Sequence, residues 1–142
     1  MSGARWAVAG WGLCAVAASS WLALVEVFWL PLRVGGVLVP VSVAAAVVGN
    51  LLLVGAALRL SGSKVVAVLP AASWLVVVVA AMVRRPEGDL LLVGGGATGI
   101  VNTAFLLLGV LAAAFGAGLA LGAPPRPAPV AAPSGSGSGG AR

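Results

Sequence analysis

Residues 64–85 read KVVAVLPAASWLVVVVAAMVRR, and this stretch decides the fold. No charged residue lies between Lys64 and the Arg84–Arg85 pair. Lys64 and Arg84 are 20 residues apart, which is roughly 30 Å along an α-helix and matches the thickness of a bilayer core. The run is apolar on every side, as expected for a helix that meets lipid and other helices. The sequence therefore predicts a transmembrane helix over residues 65–83 with a cation at each end.

Three further runs are also long and apolar enough to cross a bilayer. They cover about residues 6–30, 35–58 and 98–121. Trp6 and Trp29 lie 23 residues apart in the first run, so each can occupy one membrane interface, where Trp is enriched. We therefore predict an all-α integral membrane protein, a bundle of four transmembrane helices within residues 1–122. Residues 123–142 are rich first in Pro and Ala and then in Ser and Gly, which predicts a disordered tail.

The composition excludes most other classes of protein. Of the 142 residues, 61% are hydrophobic and 8% are charged, whereas soluble domains average about 45–50% apolar and about 25% charged residues. The chain has no His, and Cys14 is its only cysteine. An intrachain disulfide and a Cys/His metal site are therefore excluded, and the usual general base at neutral pH is missing. We expect no catalytic residue, no metal and no cofactor, and predict that the protein is not an enzyme.

The cations near the span ends predict the orientation in the membrane. Four crossings place both termini on one side. That side carries Arg5, Arg59, Lys64 and Arg126, and the opposite side carries Arg33, Arg84 and Arg85. Because Lys and Arg are enriched in cytoplasmic loops, this count favours cytoplasmic termini and a multi-pass protein of the cell (inner) membrane. Topology and lipid headgroup contacts then explain the net charge of +5, and we expect no nucleic-acid partner.

Glu26 is the only acidic residue inside a predicted span. An ionisable residue at membrane depth is a functional candidate, because placing a charge there is costly. Glu26 lies three residues from Trp29, about 4.5 Å along the helix axis, and is therefore expected near the interface. Two interpretations remain open. Glu26 pairs with Arg33, Arg84 or Arg85, or it forms a cation- or proton-binding site.

Two asparagines inside the spans, Asn50 and Asn102, carry side chains that are costly to leave unpaired in lipid. Each is expected to face the bundle and to hydrogen-bond to a neighbouring helix. Each asparagine side chain would then either join two helices or contact a substrate.

Prolines and glycines are expected to shape the spans. Pro40 and Pro70 lie inside spans two and three, and each should kink its span or mark its end. On span four, Gly118-x-x-x-Gly122 offers a face of small residues that favours helix packing.

The connection between spans three and four concentrates charge. Its charged residues are Arg84, Arg85, Glu87 and Asp89. It is either a solvated turn, since Pro86 and Gly88 favour chain reversal, or an interaction epitope, or a loop that folds over the bundle to reach Glu26.

The segment Arg85-Pro86-Glu87-Gly88-Asp89 and the Gly-rich run after it resemble an element of small actinobacterial membrane proteins of unknown function. The chain is also similar to them in length and in its four crossings, over about residues 5–122. This resemblance implies a four-pass membrane protein and transfers no catalytic or binding residue.

These features predict a non-enzymatic membrane protein that serves as an accessory or assembly partner. Its expected partners are the lipid bilayer and either another membrane protein or a second copy of the chain. The alternative is a small transporter or channel with Glu26, Asn50 and Asn102 along its path. Such a transporter would work as a homodimer, because four helices alone enclose little volume.

Overall fold

The computed structural model describes residues 2–30, 32–83 and 96–124, and within them the chain is almost entirely helical. Four helices, α1 to α4, cover Ser2–Trp29, Val41–Ser61, Lys64–Met82 and Gly96–Gly122. All four are long and apolar enough to cross a membrane. This confirms the prediction of an all-helical protein with four candidate membrane spans. The charged connection and nearly all of the predicted tail lie outside the described residues.

A small β-hairpin, and not helix, follows α1. Its strands β1 (Arg33–Val34) and β2 (Val37–Leu38) pair antiparallel. Gly35 and Gly36 form the turn with φ angles of 58° and 83°, a backbone conformation that glycine adopts without steric cost. The predicted start of span two at residue 35 therefore differs from the structure, because the hairpin occupies the first residues of that apolar run.

The two prolines of spans two and three lie in different settings. Pro40 occupies the N-cap position of α2, so it precedes the helix. Its missing N–H costs no helical hydrogen bond there. Pro70 lies inside α3, which continues past it as far as Met82. Pro40 therefore marks the start of α2, one of the two outcomes expected for it, although the span itself was predicted to begin at residue 35.

A short turn reverses the chain between α2 and α3. Gly62 ends α2 in a left-handed conformation with φ 66°, and its N–H donates to the carbonyl of Leu58. Ser63 then caps α3 through its hydroxyl, which accepts a hydrogen bond from the N–H of Val66 at 3.4 Å. Both caps follow the usual chemistry of helix ends. The turn makes α2 and α3 antiparallel neighbours.

α2 and α3 contact each other at the centre of the bundle, and both contact α1 and α4. One buried cluster draws on all four helices and consists of Ala23, Val27, Leu30, Ala46, Trp74, Val78 and Phe105. A second cluster, nearer the start of α3, is mostly alanine and consists of Val54, Ala67, Ala71, Ala113 and Ala120. Small residues let helix backbones approach closely, which matters in lipid because no hydrophobic force draws apolar helices together. The first cluster surrounds the candidate site.

Gly109, which the sequence analysis did not identify, allows α4 to pack closely against α3. A Cβ atom at Gly109 would collide with the indole ring of Trp74. Gly118 and Gly122, by contrast, are exposed, and a Cβ at either would meet nothing within 4 Å. The Gly118-x-x-x-Gly122 face therefore makes no helix contact within the described bundle, and Gly109 provides the close contact instead.

Candidate functional site: a carboxyl group buried in the bundle

Glu26 lies on the face of α1 that packs against α2 and α3. This face repeats every three or four residues, as one side of a helix does, and its members are Ser19, Ala23, Glu26 and Val27, with Leu30 directly after the helix. The side chain of Glu26 is 1% exposed, and no other charged residue is buried in the part of the chain that the structure describes. The carboxyl group is therefore shielded from lipid.

Trp74 of α3 is the hydrogen-bond partner of Glu26. Its indole Nε1–H donates to Oε2 of the carboxyl group at 2.7 Å. The indole ring is itself 1% exposed and packs against the ring of Phe105 with centroids 5.5 Å apart and planes inclined by 53°. A hydrogen bond to a carboxylate is stronger in such a low-dielectric environment than in water. This contact ties α1 to α3, and the aromatic pair extends the tie to α4.

The hydrogen-bond partner of the carboxyl group lies in the middle of a helix. Trp74 follows the first residue of α3, Lys64, by ten residues and precedes the last, Met82, by eight. These separations are about 15 Å and about 12 Å along the axis, so the partner of Glu26 lies near the middle of α3. Glu26 itself lies three residues before Trp29, the last residue of α1, so its position near a membrane interface stays a prediction.

The second carboxyl oxygen faces α2. A Cβ atom at Gly49 would lie 3.5 Å from Oε1 of Glu26, an ordinary contact distance, but it would collide with the side chain of Leu22, so glycine at this position admits Leu22 beside the carboxyl group. Oε1 has no hydrogen bond to any described residue, and the same holds for the buried hydroxyl of Ser42 in the first turn of α2. A buried acceptor without a donor costs about 1–3 kcal/mol. Among the described residues, therefore, only one oxygen of the carboxyl group has a hydrogen-bond partner.

The expected pairing of Glu26 with arginine is absent from the described residues. Arg33 is exposed on β1, and Glu26 makes its hydrogen bond to Trp74 alone. The remaining candidates for this pairing and for the loop site lie outside the described residues, namely Arg84, Arg85, Glu87 and Asp89.

Both predicted asparagine sites are buried. The amide of Asn50 donates to the carbonyl of Ala46 at 2.9 Å, a bond within α2. Because both residues belong to α2, this bond does not support the interpretation of Asn50 as a link to a neighbouring helix. Asn102 lies on α4, one turn before Phe105, and is 6% exposed.

Two contacts between helices were missed by the sequence reasoning. The hydroxyl of Ser19 donates to the carbonyl of Pro70 at 2.6 Å and joins α1 to α3. The ammonium group of Lys64 donates to the carbonyl of Leu121 at 2.7 Å. It thereby caps the C-terminal end of α4, where a cation also complements the helix dipole. The sequence indicated that Lys64 lies at the end of a span, but it did not indicate that its ammonium group would bind the carbonyl of Leu121.

A second feature is the side of α1 that faces away from the bundle. We call it the α1 outer face, and it consists of Gly10, Cys14, Ala17, Trp21, Leu24 and Phe28. All six residues are exposed, and their spacing alternates between four and three, as in the seam of two packed helices. Trp21 is 70% exposed, and its indole N–H donates no hydrogen bond within the described part of the chain.

Comparisons with known proteins add no assignment to this geometry. No protein-family model matches the chain, and no similar protein was found among curated proteins or solved structures. Among the described residues, no group of three His, Cys, Asp or Glu side chains could hold a metal ion. The described residues define the class, a bundle of four helices that are each long and apolar enough to cross a membrane.

Proposed function

We propose that the chain is a non-enzymatic protein of the cell (inner) membrane that serves as an accessory or assembly partner of another membrane protein. The observation that carries this proposal is the α1 outer face. It combines a helix-packing seam with exposed aromatic side chains, and none of its residues is buried by another described helix.

The tryptophan in the middle of this face supports a protein partner over lipid. Trp21 lies eight residues before Trp29, about 12 Å from that end of α1. Trp is enriched at membrane interfaces, where its N–H reaches water or headgroups. Hydrocarbon tails offer no acceptor to an indole N–H. A helix of another protein can supply both a carbonyl or side-chain acceptor and a surface for the ring.

The first half of the same face allows a partner helix to approach closely. Gly10, Cys14 and Ala17 are small, and a Cβ atom at Gly10 would meet nothing within 4 Å. Small residues at this spacing are typical of contacts between transmembrane helices. The larger Trp21 and Phe28 follow along the same seam and would provide the aromatic contacts.

The orientation belongs to the proposal as well. Arg5 lies near the start of α1, Arg59 lies in the last turn of α2 and Lys64 begins α3, so these three cations lie at one end of the bundle. Arg33 lies at the opposite end. By the enrichment of cations in cytoplasmic loops, the end with Arg5 faces the cytoplasm.

Co-purification from native membranes tests the partner role. We expect a partner protein to accompany the wild-type chain, and Trp21→Ala to weaken its binding about tenfold, since this change removes the central aromatic of the seam. Phe115→Ala is the matched control, because Phe115 is an exposed aromatic residue on α4. Equal recovery of the partner with both variants, or no partner with the wild type, would contradict the proposal.

A second candidate function is a small homodimeric transporter or channel in which Glu26 binds a cation or proton, with Asn50 and Asn102 along the path. The specific observation in its favour is the Oε1 atom of Glu26, which is buried and without a donor among the described residues. Reconstitution in liposomes tests it. Ion or proton flux that Glu26→Gln abolishes would favour transport, and flux unchanged by this substitution would exclude the assigned role of Glu26.

A further inference from the structure

A groove between α1 and α3 opens on the lipid-facing side of the bundle. Its volume is about 730 Å³, within the range of about 300–1,000 Å³ that is typical of small-molecule sites. The lining is apolar, with Val8 and Val16 on α1 and Val66 and Leu69 on α3, except for one charged side chain, Arg5. A long apolar trough with a single cation is complementary to an amphiphile with an anionic head.

The length of the groove matches one leaflet of a membrane. On α1 it runs from Arg5 to Val16, which is about 16 Å along the helix and about half of the 30 Å bilayer core. At Gly12 the two helices come close, since a Cβ there would lie 3.3 Å from Cδ1 of Leu69. A transmembrane helix would need a trough through both leaflets. An acyl chain needs only this length.

The charge at the open end favours an anionic occupant. Arg5 is exposed and makes no hydrogen bond or ion pair with any described residue. Arg59 and Lys64 lie at the same end of the bundle. The one acidic residue in the described ranges, Glu26, is buried and follows Arg5 on α1 by 21 residues, about 31 Å along the helix. Basic residues at the membrane surface attract anionic lipid headgroups.

We propose that this groove binds one anionic phospholipid from the leaflet at the Arg5 end. One acyl chain lies along the apolar lining, and the phosphate accepts hydrogen bonds from the guanidinium group of Arg5. Two parallel N–H groups of a guanidinium suit two oxygens of a phosphate. The site is separate from the α1 outer face, because Arg5, Val8 and Val16 do not belong to that face.

Native mass spectrometry of the purified full-length chain tests the headgroup contact. The protein is titrated with phosphatidylglycerol and with phosphatidylcholine of identical acyl chains. We expect about fivefold tighter binding of phosphatidylglycerol, the effect of one surface cation. Arg5→Gln should remove this preference. Arg33→Gln is the control of equal charge, since Arg33 is exposed at the opposite end, and it should keep the preference.

A groove-filling variant tests the acyl-chain contact. Ala9 lines the groove and is exposed, so Ala9→Trp fills the trough without displacing a buried side chain. It should lower the binding of both lipids several-fold. Ala7→Trp, at an exposed position outside the lining, should leave binding unchanged, and circular dichroism should show intact helices in every variant.

Three results would overturn the lipid site. The first is equal binding of the two lipids by the wild type, and the second is an unaltered preference in Arg5→Gln. The third is an Ala9→Trp variant that binds both lipids normally but no longer forms a dimer that the wild type forms. That result would assign the groove to a second copy of the chain.

Discussion

Glu26 of α1 and Trp74 of α3 are joined by a buried hydrogen bond in the interior of the bundle. The indole donates to a carboxyl group that is shielded from lipid, and its ring fills the space between Glu26 and Phe105. Gly109 leaves that space open, because any side chain there would meet the ring. The acid could be identified from the sequence, since it is the only one inside a span. Its partner could not, because apolar runs do not reveal which faces of two helices meet.

Removing the carboxyl group should destabilise the bundle. Glu26→Ala leaves the indole N–H of Trp74 without its acceptor and leaves a cavity, at a cost of about 1–3 kcal/mol for the donor alone. Glu26→Gln keeps an acceptor oxygen in the same place and should cost less. Thermal unfolding of the purified protein in detergent measures both variants. An alanine variant as stable as the glutamine variant would show that the hydrogen bond contributes nothing.

Thermal unfolding also tests the close contact between Gly109 and the ring of Trp74. Gly109→Ala places a Cβ atom against the buried ring of Trp74, and overpacking of this kind costs about 1–3 kcal/mol. Gly118→Ala is the matched control, since a Cβ there meets nothing within 4 Å, and Ala favours helix over Gly by up to about 1 kcal/mol. We expect a lower melting temperature for the first variant and an equal or higher one for the second.

Length and apolarity located all four helices from the sequence, but they located the ends of the helices less well. Span two was placed from residue 35, whereas α2 begins at Val41. Hydropathy does not distinguish a Val-rich hairpin from the first turns of a helix. The signal that was available is the pair Gly35-Gly36 between valines, since two glycines between β-branched residues favour a tight hairpin turn.

The hairpin turn should tolerate asparagine better than valine. Gly36 has a φ of 83°, where a β-branched side chain is strained by roughly 1–2 kcal/mol and Asn is accepted more readily. We expect Gly36→Val to lower the melting temperature more than Gly36→Asn does. Gly55→Ala, in the interior of α2 with open space around it, serves as a control for loss of a glycine. Equal melting temperatures for the two Gly36 variants would contradict the observed turn.

At the scale of the whole molecule, the bundle separates one buried carboxyl group from two outward-facing features. Glu26 is enclosed by the four-helix cluster, while the α1 outer face and the groove that begins at Arg5 both face outward. Composition predicted the class of protein because so few charges cannot cover a soluble surface. It could not predict which side of α1 stays uncovered, because every span is apolar all round and only packing distinguishes its faces.

The native cysteine gives the most direct test of the partner role. Cys14 is exposed within the α1 outer face, so a thiol-linked photo-crosslinker placed there in native membranes should capture a partner protein. The control is the double variant Cys14→Ser/Val76→Cys, which moves the thiol to an exposed position on α3. We predict a discrete protein adduct from position 14 and none from position 76. Equal capture at both positions, or lipid adducts alone at position 14, would contradict a partner bound at the α1 outer face.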